Sequence, residues 1–281
     1  MRKFNVSDFS DIISNLCQLC CYTLPDDVAK ALVNSLRRET SLNARDILQQ
    51  LIDNANLAAQ GVYPLCQDTG LVVVFIDLGQ DVRLEGGDLY AAINHGVARG
   101  YTEAYLRASV VADPLFERAN TTDNTPAIVH LRLVPGDKIK IRLAPKGAGS
   151  ENKGLLRMLP PSAGINGVKN TVLDAVRLAG PDACPPLVVG VGIGGNMEMA
   201  ALYAKQAALR DLTSSNPDPR YAALEQELLK LVNDLDIGPQ GLGGKTTALK
   251  VNIEWGPTHI ASLPVAVNLN CHCARHWEVL I

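Results

Sequence analysis

The run AIVHLRLVPGDKIKIRLAP (127–145) holds two stretches of alternating apolar and polar residues, separated by Pro135, Gly136 and Asp137. Alternation with a period of two marks a strand with one buried face. A Pro-Gly-Asp break between two such stretches predicts a β-hairpin. A hairpin is antiparallel, so the sheet holding it is not purely parallel. Upstream, LVVVFIDLG (71–79) is apolar almost throughout and reads as a buried strand. Before it, the periodicity predicts helices over about 7–20, 26–38 and 43–60. The last carries Ala44, Ile47, Leu48, Leu51, Ala55 and Ala58 on one stripe. GDLYAAINHGVARGYTEAYLRAS (87–109) reads as one helix or a pair. Beyond the hairpin come a helix near 164–179, a strand at 186–193, helices at 197–212 and 219–235, and strands near 248–254 and 263–269. Strands and helices neither alternate strictly nor segregate. The expectation is an α+β fold, with mixed or antiparallel sheets covered by helices behind an N-terminal helical segment. No repeat or long linker splits the chain. The expected organisation is one domain over 1–281, with 1–60 as its helical part and 61–281 carrying the chemistry.

The totals narrow the functional classes. The chain has 281 residues, enough for a real core, with 47% hydrophobic, 20% charged and 5% aromatic residues. Few aromatics and a formal net charge of −3 argue against nucleic acid as a partner. No stretch approaches the roughly 18 uninterrupted apolar residues of a membrane span. Asp8 and Asp11 interrupt the N-terminus where an export signal would be apolar. The seven cysteines are therefore read as thiols or metal ligands, and the expected compartment is the cytoplasm.

Several motifs invite chemistry, and each has a plainer reading. CQLCCY (17–22) looks like half a zinc site, but no second C-x-x-C exists. Cys17, Cys20 and Cys21 also fit the buried stripe of a helix with Ile13 and Leu16. GVGIGG (190–195) matches the dinucleotide fingerprint after a strand and before a helix. Downstream, however, Asp211 ends a helix where the fingerprint wants an acid ending a second strand. A nicotinamide-dependent oxidoreductase is the corresponding weaker alternative. GPQGLGGKTT (238–247) resembles a phosphate loop, yet the required glycine is Pro239 and no strand precedes it. KGAGSENKG (146–154) is either an anion-binding glycine loop or a turn capped by Ser150. YPLCQDTG (63–70) puts a thiol, an amide, a carboxylate and a hydroxyl at the mouth of a strand. PTHIASLPVAVNLNCHCARH (257–276) pairs His259 with a run ending in Cys271-His272-Cys273. Local spacing leaves these open.

Taken together, YPLCQDTG, GYTEAYLRASVVADPL, KGAGSENKGLLRMLPP, GPDACPPLVVGVGIGGNMEMAALYAKQAALR and GLGGKTTALKVNIEWGPTHIASLPVAVNLNCHCARH carry a specific likeness. The chain from about residue 60 onward resembles the α subunit of the two-subunit, iron–sulfur class I fumarate hydratases and L-tartrate dehydratases. The resemblance implies a [4Fe–4S] cluster held by Cys66, Cys184 and Cys271, with Cys273 not a ligand. It also implies that Gln67, Asp68, Arg107 and Gly149 line a site for a C4 dicarboxylate. Asp68 and His259 are the implied proton-handling groups, and Lys245 has no assigned role. A separate β subunit is implied, in a complex with two copies of each chain, and fumarate is the commoner substrate of the family. The alternative within this resemblance is a cluster-binding subunit without activity of its own.

Overall fold

The computed structural model describes residues 1–281. In chain order the elements are β1 (Arg2–Asn5), α1 (Ser7–Tyr22), α2 (Asp26–Arg38), α3 (Leu42–Ala58), β2 (Leu71–Gly79), β3 (Val82–Glu85), α4 (Leu89–Glu103), β4 (Ile128–Val134) and β5 (Ile139–Lys146). There follow α5 (Ala148–Glu151), β6 (Leu155–Leu159), α6 (Gly164–Ala179), β7 (Leu187–Gly195), α7 (Met197–Ala208), α8 (Pro219–Asn233), β8 (Ala248–Thr258), β9 (Leu263–Asn270) and β10 (Trp277–Leu280). Parallel and antiparallel pairings both occur, so the fold is α+β with mixed sheets. No helix is long and apolar enough to cross a membrane. Two compact units are present. The first comprises Met1–Pro25, Ala55–Ala148 and Arg275–Ile281, and the second Asp26–Asn54 and Gly149–Ala274. The N-terminal helices are shared out: α1 belongs to the first unit and α2 to the second.

In the first unit the sheet order is β10-β5-β2-β4. Both strands of the expected hairpin exist, but they do not pair with each other. β2 lies between them, parallel to β4 (Val73 opposite Ile128) and antiparallel to β5 (Val73 opposite Ala144). The reason is burial. A strand as apolar as β2 needs a neighbour on each edge to satisfy its backbone, whereas β4 exposes Leu131 and Leu133 and suits the sheet's rim. The Pro-Gly-Asp segment reaches across the end of β2, where Gly79 N–H donates to Lys138 O at 2.8 Å and Asp81 N–H to Gly136 O at 2.9 Å. Val72, Val74, Ile76 and Leu78 of β2, with Ile139, Ile141 and Leu143 of β5, form the buried face against α1 and α4. The opposite face holds polar pairs such as Arg132–Asp77. β1 and β3 make a separate parallel pair.

In the second unit the order is β6-β9-β7-β8, with β7 antiparallel to β9 and parallel to β8. Alternate residues of β7, Val189, Val191 and Ile193, pack into a core with Val172 and Val176 of α6 and Leu224, Leu228 and Val232 of α8. The other face meets α7. A Cβ on Gly190 would stand 2.2 Å from Ala204 O, and one on Gly192 would stand 2.0 Å from Ala200 O. Glycine there lets α7 lie directly on the strand. Most of GVGIGG is therefore strand interior, where the sequence predicts a strand-to-helix turn. The bend is confined to Gly194 and Gly195, both at positive φ, and Asn196 caps α7 by accepting from Met199 N–H at 3.0 Å. No glycine loop remains to wrap a pyrophosphate.

Candidate active site

In the first unit Cys66, Gln67 and Asp68 lie on an irregular segment leading into β2. Gln67 is exposed, while Cys66 and Asp68 are half-buried. The Asp68 carboxylate is held from two sides: Oδ1 accepts from Gly70 N–H at 3.1 Å and Oδ2 from Ala148 N–H at 2.8 Å. Its own carbonyl accepts from Arg275 Nη2 at 2.8 Å. Gly70 sits at φ +77°, and a Cβ there would lie 2.7 Å from the Lys146 backbone, so glycine is required for β2 and β5 to close at this end.

Thr69, the hydroxyl of the YPLCQDTG stretch, anchors this loop. It is fully buried, and its Oγ1 donates to the Arg107 carbonyl at 2.6 Å. That bond ties the Arg107 segment to the Asp68 turn and leaves the Arg107 side chain exposed. Tyr101 OH donates to Thr69 O at 2.7 Å, and Asn124 Nδ2 donates to Gly70 O at 3.1 Å. Burial raises the Tyr101 phenol well above its usual range, so it remains a donor. The sequence held no signal for these supports, because each lies more than thirty residues from the loop or behind an apolar stripe.

In the second unit Cys184 closes the short helical turn Gly180–Ala183 and stands in the left-handed region, at φ 52° and ψ 64°. For a residue with a Cβ this is an uncommon conformation, of the kind that concentrates at functional sites. Cys271 follows the last residue of β9. Its neighbour His272 donates N–H to Cys184 O at 3.1 Å, so the Cys184 and Cys271 segments are hydrogen-bonded side by side. Gly149 joins them: a Cβ on it would sit 3.4 Å from Asp182 O, and Lys153 pairs with Asp182 at 2.7 Å. Glu151 is held by Asn268 Nδ2 at 2.9 Å and by Lys205.

His259 stands elsewhere. It lies in the turn between β8 and β9, where its Nδ1 accepts from Ala261 N–H at 3.1 Å and its ring is exposed. β9 pairs with β7 so that Asn270 faces Val188 and Val265 faces Ile193. Cys184 and Cys271 therefore share one end of this sheet and His259 marks the other, about 25 Å away at the usual rise per strand residue. His259 borders a cavity of about 590 Å³ walled by Ile165, Val168, Tyr221, Trp255 and Leu263. Arg220, Thr258 and Ser262 also line it.

The seven cysteines form no disulfide and divide by exposure. Cys17, Cys20, Cys21 and Cys273 are buried, whereas Cys66, Cys184 and Cys271 are partly accessible. Burial pushes the helix thiols up, Cys21 to about 11. Cys20 also donates its S–H to Leu143 O at 3.6 Å. These are core thiols and poor metal ligands. No group of three or more His, Cys, Asp or Glu side chains gathers tightly enough to hold one metal ion. The phosphate-loop resemblance at 238–247 also ends here. Glu39 is buried and accepts from Lys245 N–H at 2.7 Å, while Asp236 accepts from Gly244 N–H at 3.2 Å. Carboxylates occupy the amides that a phosphate would need.

Comparison with known proteins identifies the family. A family model described as fumarate hydratase (Fumerase) matches residues 10–280. A protein from Methanocaldococcus jannaschii named "Putative L(+)-tartrate dehydratase subunit alpha" is 40% identical over 270 residues, covering 95% of each chain. The L(+)-tartrate dehydratase subunit alpha of Escherichia coli O157:H7 is 33% identical over 280 residues, 98% of this chain and 91% of its own length. That of Escherichia coli K12 is 32% identical over the same span. The chain belongs to the fumarate hydratase (Fumerase) family, and its chemistry is that of a hydro-lyase.

Proposed function

We propose that this chain is the cluster-carrying α subunit of an iron–sulfur hydro-lyase that dehydrates L(+)-tartrate to oxaloacetate and works with a separate β subunit. The observation that carries this reading is the sorting of the cysteines: only Cys66, Cys184 and Cys271 are partly accessible, and all three lie outside helices and strands. The chemistry of those residues fits a cluster, since three partly accessible thiols, once deprotonated, are the ligands that iron–sulfur clusters take. When bound through three cysteines, a [4Fe–4S] cluster has one iron without a protein ligand, able to act as a Lewis acid on a substrate hydroxyl.

The chain's own residues supply the rest. Arg107 offers a planar, permanently charged fork suited to a substrate carboxylate, and the exposed Gln67 amide can hydrogen-bond the same ligand. Asp68 presents a carboxylate whose two oxygens each already accept a backbone N–H, which fixes its direction for proton transfer. Gly149 keeps the approach beside the Cys184 turn free of a side chain. His259 lies at the other end of β9 from Cys271, and its proton-handling role rests on the family resemblance alone. The names of the similar proteins favour tartrate, and the family description keeps hydration of fumarate to malate as a second reading.

Coexpression with a β subunit, anaerobic purification, and assay with L(+)-tartrate and fumarate tests the proposal. Iron and acid-labile sulfide are expected at about four each per αβ pair, with faster turnover of tartrate. A reconstituted complex without iron, or one that turns over neither acid, removes it.

A further inference from the structure

We propose that Arg275 is a positioning residue for the Cys66–Asp68 loop, clamping that loop from behind so that the Asp68 carboxylate and the Cys66 thiol keep their direction. This rests on the site reading above, and it gives a role to a residue to which the motifs assign none. Arg275 ends the CHCAR run, four residues after Cys271. Only 3% of it is exposed, yet its Nη2 reaches Asp68 O at 2.8 Å. A guanidinium withdrawn from water costs several kcal/mol. A neutral side chain of similar volume would fill the space more cheaply, so the charge here serves geometry rather than stability.

Two neighbours make the clamp specific. Gly147 packs on the same carboxylate: a Cβ there would lie 2.9 Å from Asp68 Oδ2 and 3.6 Å from Arg275 Nη2. The backbone beyond it delivers the Ala148 N–H to that oxygen. A methyl group there would press on the carboxylate and stand in ordinary contact with the guanidinium. On its other side Arg275 lies near Cys20, Cys21 and Tyr101, and its charge acts downward on both thiols against the larger effect of burial. Tyr101 in turn holds Thr69 O. The residues behind the loop thus grip two successive carbonyls, those of Asp68 and Thr69.

The test uses Arg275→Lys, Arg275→Gln and Gly147→Ala, each in the αβ complex and in the full α chain stripped of iron by an anaerobic chelator. In the complex, Arg275→Gln is expected to lower kcat by about 10- to 100-fold, the range for residues that orient a ligand-bearing group, with KM changed less than about threefold. Arg275→Lys keeps a charged donor and is expected to recover part of that loss. In the stripped chain, iodoacetamide should alkylate Cys66 about tenfold faster in Arg275→Gln, with Cys184 and Cys271 as internal references that do not change. Gly147→Ala, which presses on the same carboxylate while leaving the Arg275 side chain in place, should reproduce the kcat loss if Arg275→Gln does not fold. The proposal is overturned if kcat and the Cys66 rate stay at wild-type values, or if all three cysteines accelerate together. Should the wild-type complex turn over neither acid, the functional reading fails and the alkylation rates still decide the clamp.

Discussion

Helix α1 and the loops around residues 66, 184 and 271 both concentrate cysteine, and they use it in opposite ways. In α1, Cys17, Cys20 and Cys21 recur at helical spacing beside Ile13 and Leu16, fully buried, and behave as small hydrophobes. In the loops each thiol is partly accessible, and Cys184 is held in a conformation few side chains adopt. Density in sequence is thus a poor guide to metal chemistry. The closest-spaced cysteines are the core ones, and the candidate ligands are more than eighty residues apart.

The contrast can be broken at several points. The largest effect is expected from Cys66→Ser, Cys184→Ser and Cys271→Ser. Each should abolish iron retention and lower turnover by roughly a thousandfold or more, since Lewis-acid catalysis supplies several kcal/mol. Iron analysis with tartrate kinetics checks this, and retention of a full iron complement by any of the three would remove that residue from the ligand set. Next, Arg107→Lys should reduce kcat/KM by about 10- to 100-fold, because an ammonium cannot grip a carboxylate with two parallel bonds. Steady-state assays of the complex decide it, and an unchanged kcat/KM would place Arg107 outside the site.

On the other side of the contrast, Cys17→Ser should cost about 1–3 kcal/mol of stability by burying a hydroxyl, while leaving iron content untouched. Urea unfolding with iron analysis tests both halves. The smallest effect is a pH dependence. The Cys21 thiol is raised by burial from 9.0 to about 11, so the folded state keeps a proton that the unfolded state loses. Its contribution to stability is complete below pH 9 and is lost as the pH rises through 11, at no more than about 1.4 kcal/mol per pH unit. Cys21→Ala should flatten the alkaline limb of a stability profile in that window. A limb of unchanged slope would mean that other groups set it.

Much of the architecture was legible in the letters. The helices expected near 7–20, 26–38, 43–60 and 164–179, and the strands near 71–79 and 186–193, match the observed elements to within two residues at each end, because burying a stripe or a face imposes that repeat locally. The short strands β1, β3, β6 and β10, of four or five residues, were not legible. Too few positions are present to establish a period, and each exists because a partner strand is already in place. Strand pairing escaped for the same reason. A Pro-Gly-Asp break between two alternating runs predicts a hairpin, and nothing local announces that β2 will insert between them.

The sequence alone therefore determined which segments become helices and strands, which thiols ride an apolar stripe, and, through five ordered motifs, the family. Tertiary structure decided what stands beside what. It put Cys184 next to Cys271 by a hydrogen bond at His272, sent His259 to the far end of β9, and brought Arg275 beneath Asp68 across more than two hundred residues of chain. Periodicity is a property of neighbours along the chain, whereas these contacts join residues far apart along it, and they arise only when buried backbone groups and charges find partners.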